Sequence, residues 1–513
     1  MTFPIEHPHL VRHLRHDAGV PRERRGLGLV VLCGAMFISA VDTTIVNIAL
    51  PDISNDLNAG VGELQWVLDG FLVCLAGMLL VGSGLADRFG RRRVFLSGFA
   101  GFAATSVLAA LAQSPVELIA ARVLMGATAA CVLPPALSLI AVMFPPEERP
   151  RALGVWASVA GVGLAAGPLL GGVLVPSVGW QSVFLVNVPF AIAAVPLGLR
   201  SLPESTRPGA PPLDLLGVGL SIVSLACIVF TLIEGVDAGW TSPEVLATAA
   251  VGIGGGFAFV RVELRRRNPL FDVRVLARPA VIAGAVAIVS MYIAFLGVLF
   301  LLPQYLQYVH DRSTLATALI LTPLGIGTLI TARFNEPVLR ALGMRLTIAG
   351  GLVAMAGSIA LLLLLGSTTS VVVVMASMGL FGAIIPLTIA PATAVIMDDL
   401  GEEKAGDGGA VNQLARQVGG ALGVAIIGSV FAGVYSDRID FRLSSLSQPA
   451  RDRAAESIEE ARDVVSGTGG ALHEQLVVRV DDSFDVAARL GFGVAVGLLL
   501  LSALVAAVML ARR

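Results

Sequence analysis

The chain has 513 residues and a formal net charge of −2, with 56% hydrophobic and only 14% charged residues; its mean hydropathy is +0.84. Soluble chains carry about 25% charged residues, so these side chains cannot cover a water-facing surface. Apolar stretches of roughly 17–25 residues recur along the sequence, the length a bilayer core demands of a helix. A closed barrel is excluded because its strands read as ~10-residue alternating segments. The composition therefore predicts an all-α integral membrane protein.

Residues 1–26 are polar and basic, with no apolar run ending in a cleavage site, so no signal peptide is expected. His7, His9, His13 and His16 lie in this tail and read as solvated side chains rather than a metal site. Six spans follow, at 27–50, 64–85, 94–112, 117–142, 153–175 and 183–199. A segment 200–279 holds two more, at 215–233 and 244–262. The last six are 280–302, 315–332, 346–366, 370–397, 411–434 and 486–510, with residues 511–513 as a polar end. Residues 435–485 read as one long external loop, with an amphipathic helix over "PARDRAAESIEEARDVV". An even count of fourteen places both termini on one side.

Arginine identifies that side. Arg12, Arg15, Arg22, Arg24 and Arg25 precede the first span, and Arg88, Arg91, Arg92 and Arg93 follow the second. Arg261, Arg265, Arg266, Arg267, Arg274 and Arg278 flank the loop after the eighth, and Arg333, Arg340 and Arg345 that after the tenth. All fall on one face, whereas the opposite short loops offer only Arg312. The positive-inside rule then predicts cytoplasmic termini. The loop "DDLGEEKAGDGG", with the single lysine Lys404, is an acidic exception.

"FISAVDTTIVNIALP" puts Asp42, Thr43, Thr44 and Asn47 inside the first span. A charged Asp in mid-helix costs roughly 2.5–3.5 kcal/mol on insertion scales. Burial favours the neutral acid and a nearby cation opposes it, which suits a proton carrier. The fourth span buries Arg122 and the second contributes Asp69; both should face the bundle interior. In the fifth span, "GVGLAAGPLLGG" spaces Gly163, Gly167, Gly171 and Gly172 for close helix approach. Pro168 there removes a backbone donor. No strand precedes this run, so its G-x-G spacing is no nucleotide site. After the second span, "GLADRFGRRRVF" sets Asp87 and Arg88 before the permissive Gly90, with Arg91 and Arg92 behind it. The four cysteines stand alone, without metal-ligand spacing, and read as free thiols.

Taken together, these motifs resemble the major facilitator superfamily, and within it the fourteen-span drug:proton antiporters. "VDTTIVNIALP" is similar to their first-span signature and "LADRFGRRR" to the superfamily's loop motif, with Ser83 where a glycine is usual. Arg122, Gly126, Ala130 and Pro134 fit the fourth-span motif, although Met125 and Thr128 depart from it. Gly163, Gly167, Pro168, Gly171 and Gly172 fit the antiporter motif. Trp180, Phe184, Asn187 and Pro189 fit a pattern that usually has arginine at Gln181, and "GGAVNQLARQVGGALG" resembles the entry to span 13. The resemblance implies a major facilitator fold of two six-helix halves, 27–199 and 280–510, with two helices inserted between them. "VLRALGMR" echoes "LADRFGRR" in the second half, Gly343 matching Gly90.

The resemblance also implies export of small amphiphilic or apolar compounds across a bacterial plasma membrane by proton antiport. Asp42, Arg122 and Asp69 would couple protons, and Asp87, Arg88, Gly90, Arg91 and Arg92 would gate the cytoplasmic side. Asn47, Tyr292, Phe295 and Arg416 would border the substrate cavity, with Phe300 a further aromatic candidate. The expected partners are a small-molecule substrate, protons and lipid; no cofactor, metal, nucleotide or nucleic acid is expected, and the chain is expected to act as a monomer. The same scaffold serves a dedicated exporter of an endogenous metabolite, lipid or siderophore. A membrane-embedded enzyme or sensor is the remote alternative, and the sequence offers it neither a metal-spaced cluster nor a nucleophile constellation.

Overall fold

Every regular element in the computed structural model is a helix; it describes residues 22–145, 147–206, 214–266, 273–366, 370–400, 405–444, 446–456, 458–466 and 471–512. Arg12, Arg15, the four tail histidines, Arg267 and Lys404 lie outside the described residues. The first half comprises Arg22–Leu57 (α1), Val61–Phe89 (α2), Arg91–Ala110 (α3), Pro115–Ala130 (α4), Leu133–Met143 (α5), Arg149–Val178 (α6), Ser182–Leu185 (α7) and Asn187–Ser201 (α8). Leu215–Asp237 (α9) and Pro243–Arg265 (α10) form the central pair. The second half comprises Pro279–Tyr308 (α11), Thr314–Thr331 (α12), Asn335–Ala360 (α13), Val371–Leu400 (α14), Ala405–Arg442 (α15), Gln448–Glu456 (α16), Ile458–Ser466 (α17) and Ala471–Met509 (α18).

Among the described residues, thirteen helical runs are long and apolar enough to cross a membrane, against the fourteen expected. The difference lies in Thr314–Leu364, a single run of 51 residues that contains the expected spans 10 and 11. A 3₁₀ turn at Ala332–Phe334 and Gly343, at φ +74°, interrupt its α-helical geometry. Gly90, between α2 and α3, also has positive φ, at +112°. The two glycines that echo each other in sequence thus share a left-handed backbone, which a β-carbon disfavours.

The expected fourth span is two helices. Pro134 and Pro135 have no N–H to return to Ala130 and Cys131, so the chain turns at residues 131–132 and restarts as α5. Ser114 starts α4 by accepting from the Glu117 N–H at 3.3 Å, the usual N-cap device. By contrast, α6 runs through Pro168 and Pro176 as one helix. Residues 435–485 are not one loop. The helices α15 and α18 continue into the stretch from either side, and α16 and α17 lie between them. Ala454, Ile458, Ala461 and Val465 turn inward, so this segment is a packed cap with a buried face. Arg462 ties it down, reaching Asp481 at 3.1 Å and Asp311 at 3.2 Å.

Within the first half, α1 packs on α6 and α2 on α4; within the second, α11 packs on α15 and α12 on α14. The halves meet through α2 with α15 and α6 with α12, and α9 wedges against both α2 and α15. The outer face of α10 leaves Phe257 74% and Ile253 57% exposed. Such apolar exposure suits hydrocarbon as the surrounding solvent. All four cysteines are free.

Candidate proton and substrate site

Asp42 and Arg122 meet in the core of the first half. Arg122 Nη1 donates to Asp42 Oδ2 at 2.8 Å, and the two side chains are 1% and 0% exposed. The arginine's Nε donates to the Val67 carbonyl at 2.9 Å, and its Cζ stands 4.4 Å from the Phe71 ring centroid and 5.8 Å from that of Phe184. Asn187 Nδ2 donates to Asp42 Oδ1 at 3.3 Å and to Ser106 Oγ at 3.0 Å. Three helices, α1, α4 and α8, therefore meet at one carboxyl, and α3 joins through Asn187. Such a pair offsets its desolvation only if the remaining polar atoms are satisfied, and here the backbone carbonyl, the amide and the aromatic faces do that. The sequence marks Asn187 as part of a motif at the sixth span but not as a partner of Asp42; the carboxyl it serves is 145 positions away.

A small void borders this pair at the junction of the halves. Thr43, Asn47, Leu68, Phe71, Leu72 and Arg122 line it from the first half, and Leu296 and Val424 from the second. Its volume of about 10 Å³ is at the lower limit for a single water. Asn47 lines the void, donating through Nδ2 to the Thr43 carbonyl at 3.1 Å; its Oδ1 is buried without a hydrogen-bond partner among the described residues. Phe295 does not line it. That ring is 3% exposed and stacks on Phe381 with centroids 6.2 Å apart, because Leu296 occupies the inward position. Phe300 is fully buried and also absent from the wall.

Asp69 is not joined to the pair. It is fully buried, and neither carboxyl oxygen has a hydrogen-bond partner among the described residues. A full charge there would be unpaired in the protein interior, which is costly. On the second half, Arg416 Nε donates to Asn412 Oδ1 at 2.9 Å and its Cζ lies 5.9 Å from the Tyr292 ring centroid.

On the arginine-rich face, Asp87 accepts from Arg91 Nη2 at 2.9 Å and from Nε at 3.1 Å. Arg92 Nη1 reaches the Leu202 carbonyl at 3.2 Å, and Glu204 accepts from the Arg92 backbone N–H at 3.1 Å. Arg88 lies over Phe89, at 5.7 Å. None of these contacts reaches the second half. Glu204 was not foreseen, being one acidic residue in a loop after the sixth span. On the opposite face, bonds cross between halves: Gln65 Nε2 donates to the Val424 carbonyl at 3.1 Å, and Gln307 Nε2 to the Ile48 carbonyl at 3.1 Å.

The glycine run has two faces. A β-carbon on Gly163 would stand 2.7 Å from the Phe37 carbonyl oxygen, and one on Gly171 3.2 Å from Ile45, so these glycines seat α6 on α1. Gly167 has the Val41 carbonyl 3.0 Å from the same position and Thr44 closer still. Gly172 instead faces Ala318 and Leu315 of α12, across the junction of the halves.

A bundle of helices long and apolar enough to cross a membrane, with a buried charge pair in one half and a small void where the halves meet, fits a membrane transporter. The Major Facilitator Superfamily profile matches residues 32–424, and the chain belongs to that family. It is 35% identical over 442 residues to the tetracenomycin C resistance and export protein of Streptomyces glaucescens, spanning 85% of this chain and 81% of that one. It is 38% identical over 424 residues to a puromycin resistance protein of Streptomyces alboniger, 80% and 83% of the two chains. It is 32% identical over 491 residues to the multidrug resistance protein Stp of Mycobacterium tuberculosis, 94% and 91%. Among solved structures it matches an inward-facing, unoccupied bacterial homologue of the human lysosomal transporter Spinster, with a TM-score of 0.64 at 16% identity, covering 94% and 98% of the chains. At that identity the likeness shows the fold alone.

Proposed function

We propose that this protein exports small amphiphilic or apolar compounds, drugs or toxic metabolites, from a bacterial cell in exchange for protons. Drug-resistance relatives at 31–38% identity support the cargo class. The observation that carries proton exchange is the buried Asp42–Arg122 pair, separated from the opposite half by a void with room for about one water. A proton on Asp42 cancels the pair's attraction inside a low-dielectric site and changes which opening the halves prefer; a ligand shifts such a balance only through differential affinity. Asp69 serves as a second acceptor for a proton or a cationic group. The single chain carries both halves and functions as a monomer, with no cofactor and no catalysis.

In this reading the chain crosses the bilayer fourteen times with both termini in the cytoplasm. A straight helix of 51 residues would be about 75 Å long, more than twice a hydrocarbon core of about 30 Å, so the run from Thr314 supplies two crossings. The cross-half bonds of Gln65 and Gln307 then close the external side. Asp87 and Arg91, paired with each other, await closure of the cytoplasmic side. Asp87→Asn is expected to slow export roughly fivefold or more at unchanged membrane abundance; normal turnover removes the gating role.

Purified protein in sealed vesicles tests the central claim. An imposed pH gradient should drive uptake of a drug against its own gradient, with counterflow of protons read by a pH dye. Accumulation that survives a protonophore would overturn proton exchange. A dedicated exporter of one self-made compound uses the same machinery and would protect cells against few compounds rather than many.

A further inference from the structure

The second half carries a cation of its own at the junction. On α15, a β-carbon at Gly420 would meet Leu296 of α11 and stand 3.4 Å from Leu72 of α2, so this stripe of the helix faces the opposite half. Arg416 lies one turn earlier on the same stripe. It is half-buried, as is Tyr292 beneath it. Arg416 lies five residues past the expected start of its span at residue 411, about 8 Å along the helix by the rise of 1.5 Å per residue.

Its partners position it without neutralising it. Asn412 donates to Thr393 and accepts from Arg416 Nε, so the amide is fixed and fixes the guanidinium in turn. The Tyr292 ring supports the guanidinium plane. Among the described residues, neither terminal nitrogen of Arg416 has a hydrogen-bond partner, and neither does the Tyr292 hydroxyl. The Asp42–Arg122 pair is already internally neutral. A half-buried arginine inside a membrane-spanning helix, with its forked end open, calls for an anion. One planar surface adjoins it: the Tyr292 ring, backed by buried Phe295, which meets it edge-on and stacks on Phe381.

We infer that Arg416 and Tyr292 form a subsite for an acidic oxygen, carboxylate or phenolate, carried by an aromatic substrate. Arg416 donates two hydrogen bonds to the oxygen, the Tyr292 hydroxyl a third, and the substrate ring packs on the open part of the half-buried Tyr292 ring. This deepens the export reading and rests on it.

Two xanthene dyes of matched skeleton test it: anionic fluorescein and cationic rhodamine 6G, bound to the full chain in zwitterionic-lipid nanodiscs and followed by anisotropy. Fluorescein should bind at least roughly tenfold more tightly than rhodamine 6G. Arg416→Gln should lose that margin by weakening fluorescein alone, with an unchanged thermal unfolding midpoint, and Arg416→Lys should recover part of it. Fluorescein bound no better than the cation, or not at all, overturns the inference. Equal weakening of both dyes by Arg416→Gln overturns it too, since that marks a structural arginine. Displacement of fluorescein by added phosphatidylglycerol reassigns the subsite to a lipid headgroup. Gradient-driven flux is scored separately: if vesicles move neither dye under a pH gradient, the export reading fails while the binding result stands, and flux with no Arg416-dependent preference does the reverse.

Discussion

Asp42→Asn is expected to abolish accumulation of substrate against its gradient while leaving downhill flux measurable. Asparagine keeps the carboxylate's shape, and its carbonyl oxygen still accepts from Arg122 Nη1, which now stands 2.8 Å from Asp42 Oδ2. It cannot gain or lose a proton at any working pH. Without differential proton affinity between the two openings, the pH gradient exerts no bias on the cycle, however well substrate binds. The variant leaves the 1%-exposed Arg122 without its counter-charge, and breaking a buried pair from one side costs about 3–5 kcal/mol. The Val67 carbonyl and the Phe71 face retain part of the arginine's solvation, so a lowered thermal midpoint is expected alongside folded protein. The readout is therefore a ratio, concentrative over downhill flux in the same vesicles. Wild-type coupling in Asp42→Asn would remove Asp42 from the proton path, and Asp42→Glu should keep coupling, because it keeps the titrating group.

How much of this was legible in the sequence follows from the kind of signal each feature leaves. Asp42 and Arg122 are isolated opposite charges in apolar runs, and lipid leaves such charges nowhere to go but toward each other; the structure pairs them. Asn187 and Ser106 complete the network, yet uncharged polar residues are common in spans and carry no such compulsion. The break at residues 131–132 was written in Pro134 and Pro135, but hydropathy averages over it. The ends of α15 and α18 ran past the expected spans for the opposite reason. Asp481, Asp482 and Asp485 end an apolar window without ending a helix, because helix formation continues wherever a neighbouring cap buries the other face. The arginine turn after α12 was foreseen as a loop. It is a 3₁₀ turn and a kinked helix, and hydropathy does not distinguish those. Arg416 was visible as a charge in the thirteenth span, but its open terminal nitrogens depend on Asn412 and Thr393, and Thr393 belongs to another helix.

The glycine run of α6 separates packing from cycling, and the second large effect lies there. Gly167→Leu should destabilise the first half, because its β-carbon would stand 3.0 Å from the Val41 carbonyl and crowd Thr44. The Thr44 hydroxyl is the nearest obstacle, and behind it stands α1's backbone at Val41 and Ile45, which a rotamer change of Thr44 does not move aside. Overpacking of this sort costs about 1–3 kcal/mol and more where nothing yields, so a fall in the thermal midpoint and poor recovery from membranes are expected. Gly172→Leu should behave differently. Its neighbours, Ala318 and Leu315, belong to α12 in the other half, and halves that rock apart can relieve the clash that a single half cannot. The expected result is a normal midpoint with the population displaced toward the opening on the side of Gly172, read as greater labelling by a membrane-impermeant thiol reagent of a cysteine introduced at Gln307. Gly154, with open space around its missing β-carbon, supplies the control, and Gly154→Leu should alter neither readout. If Gly172→Leu instead melts like Gly167→Leu with no gain in labelling, the α6–α12 contact is fixed packing rather than a moving seam, and the halves do not part there.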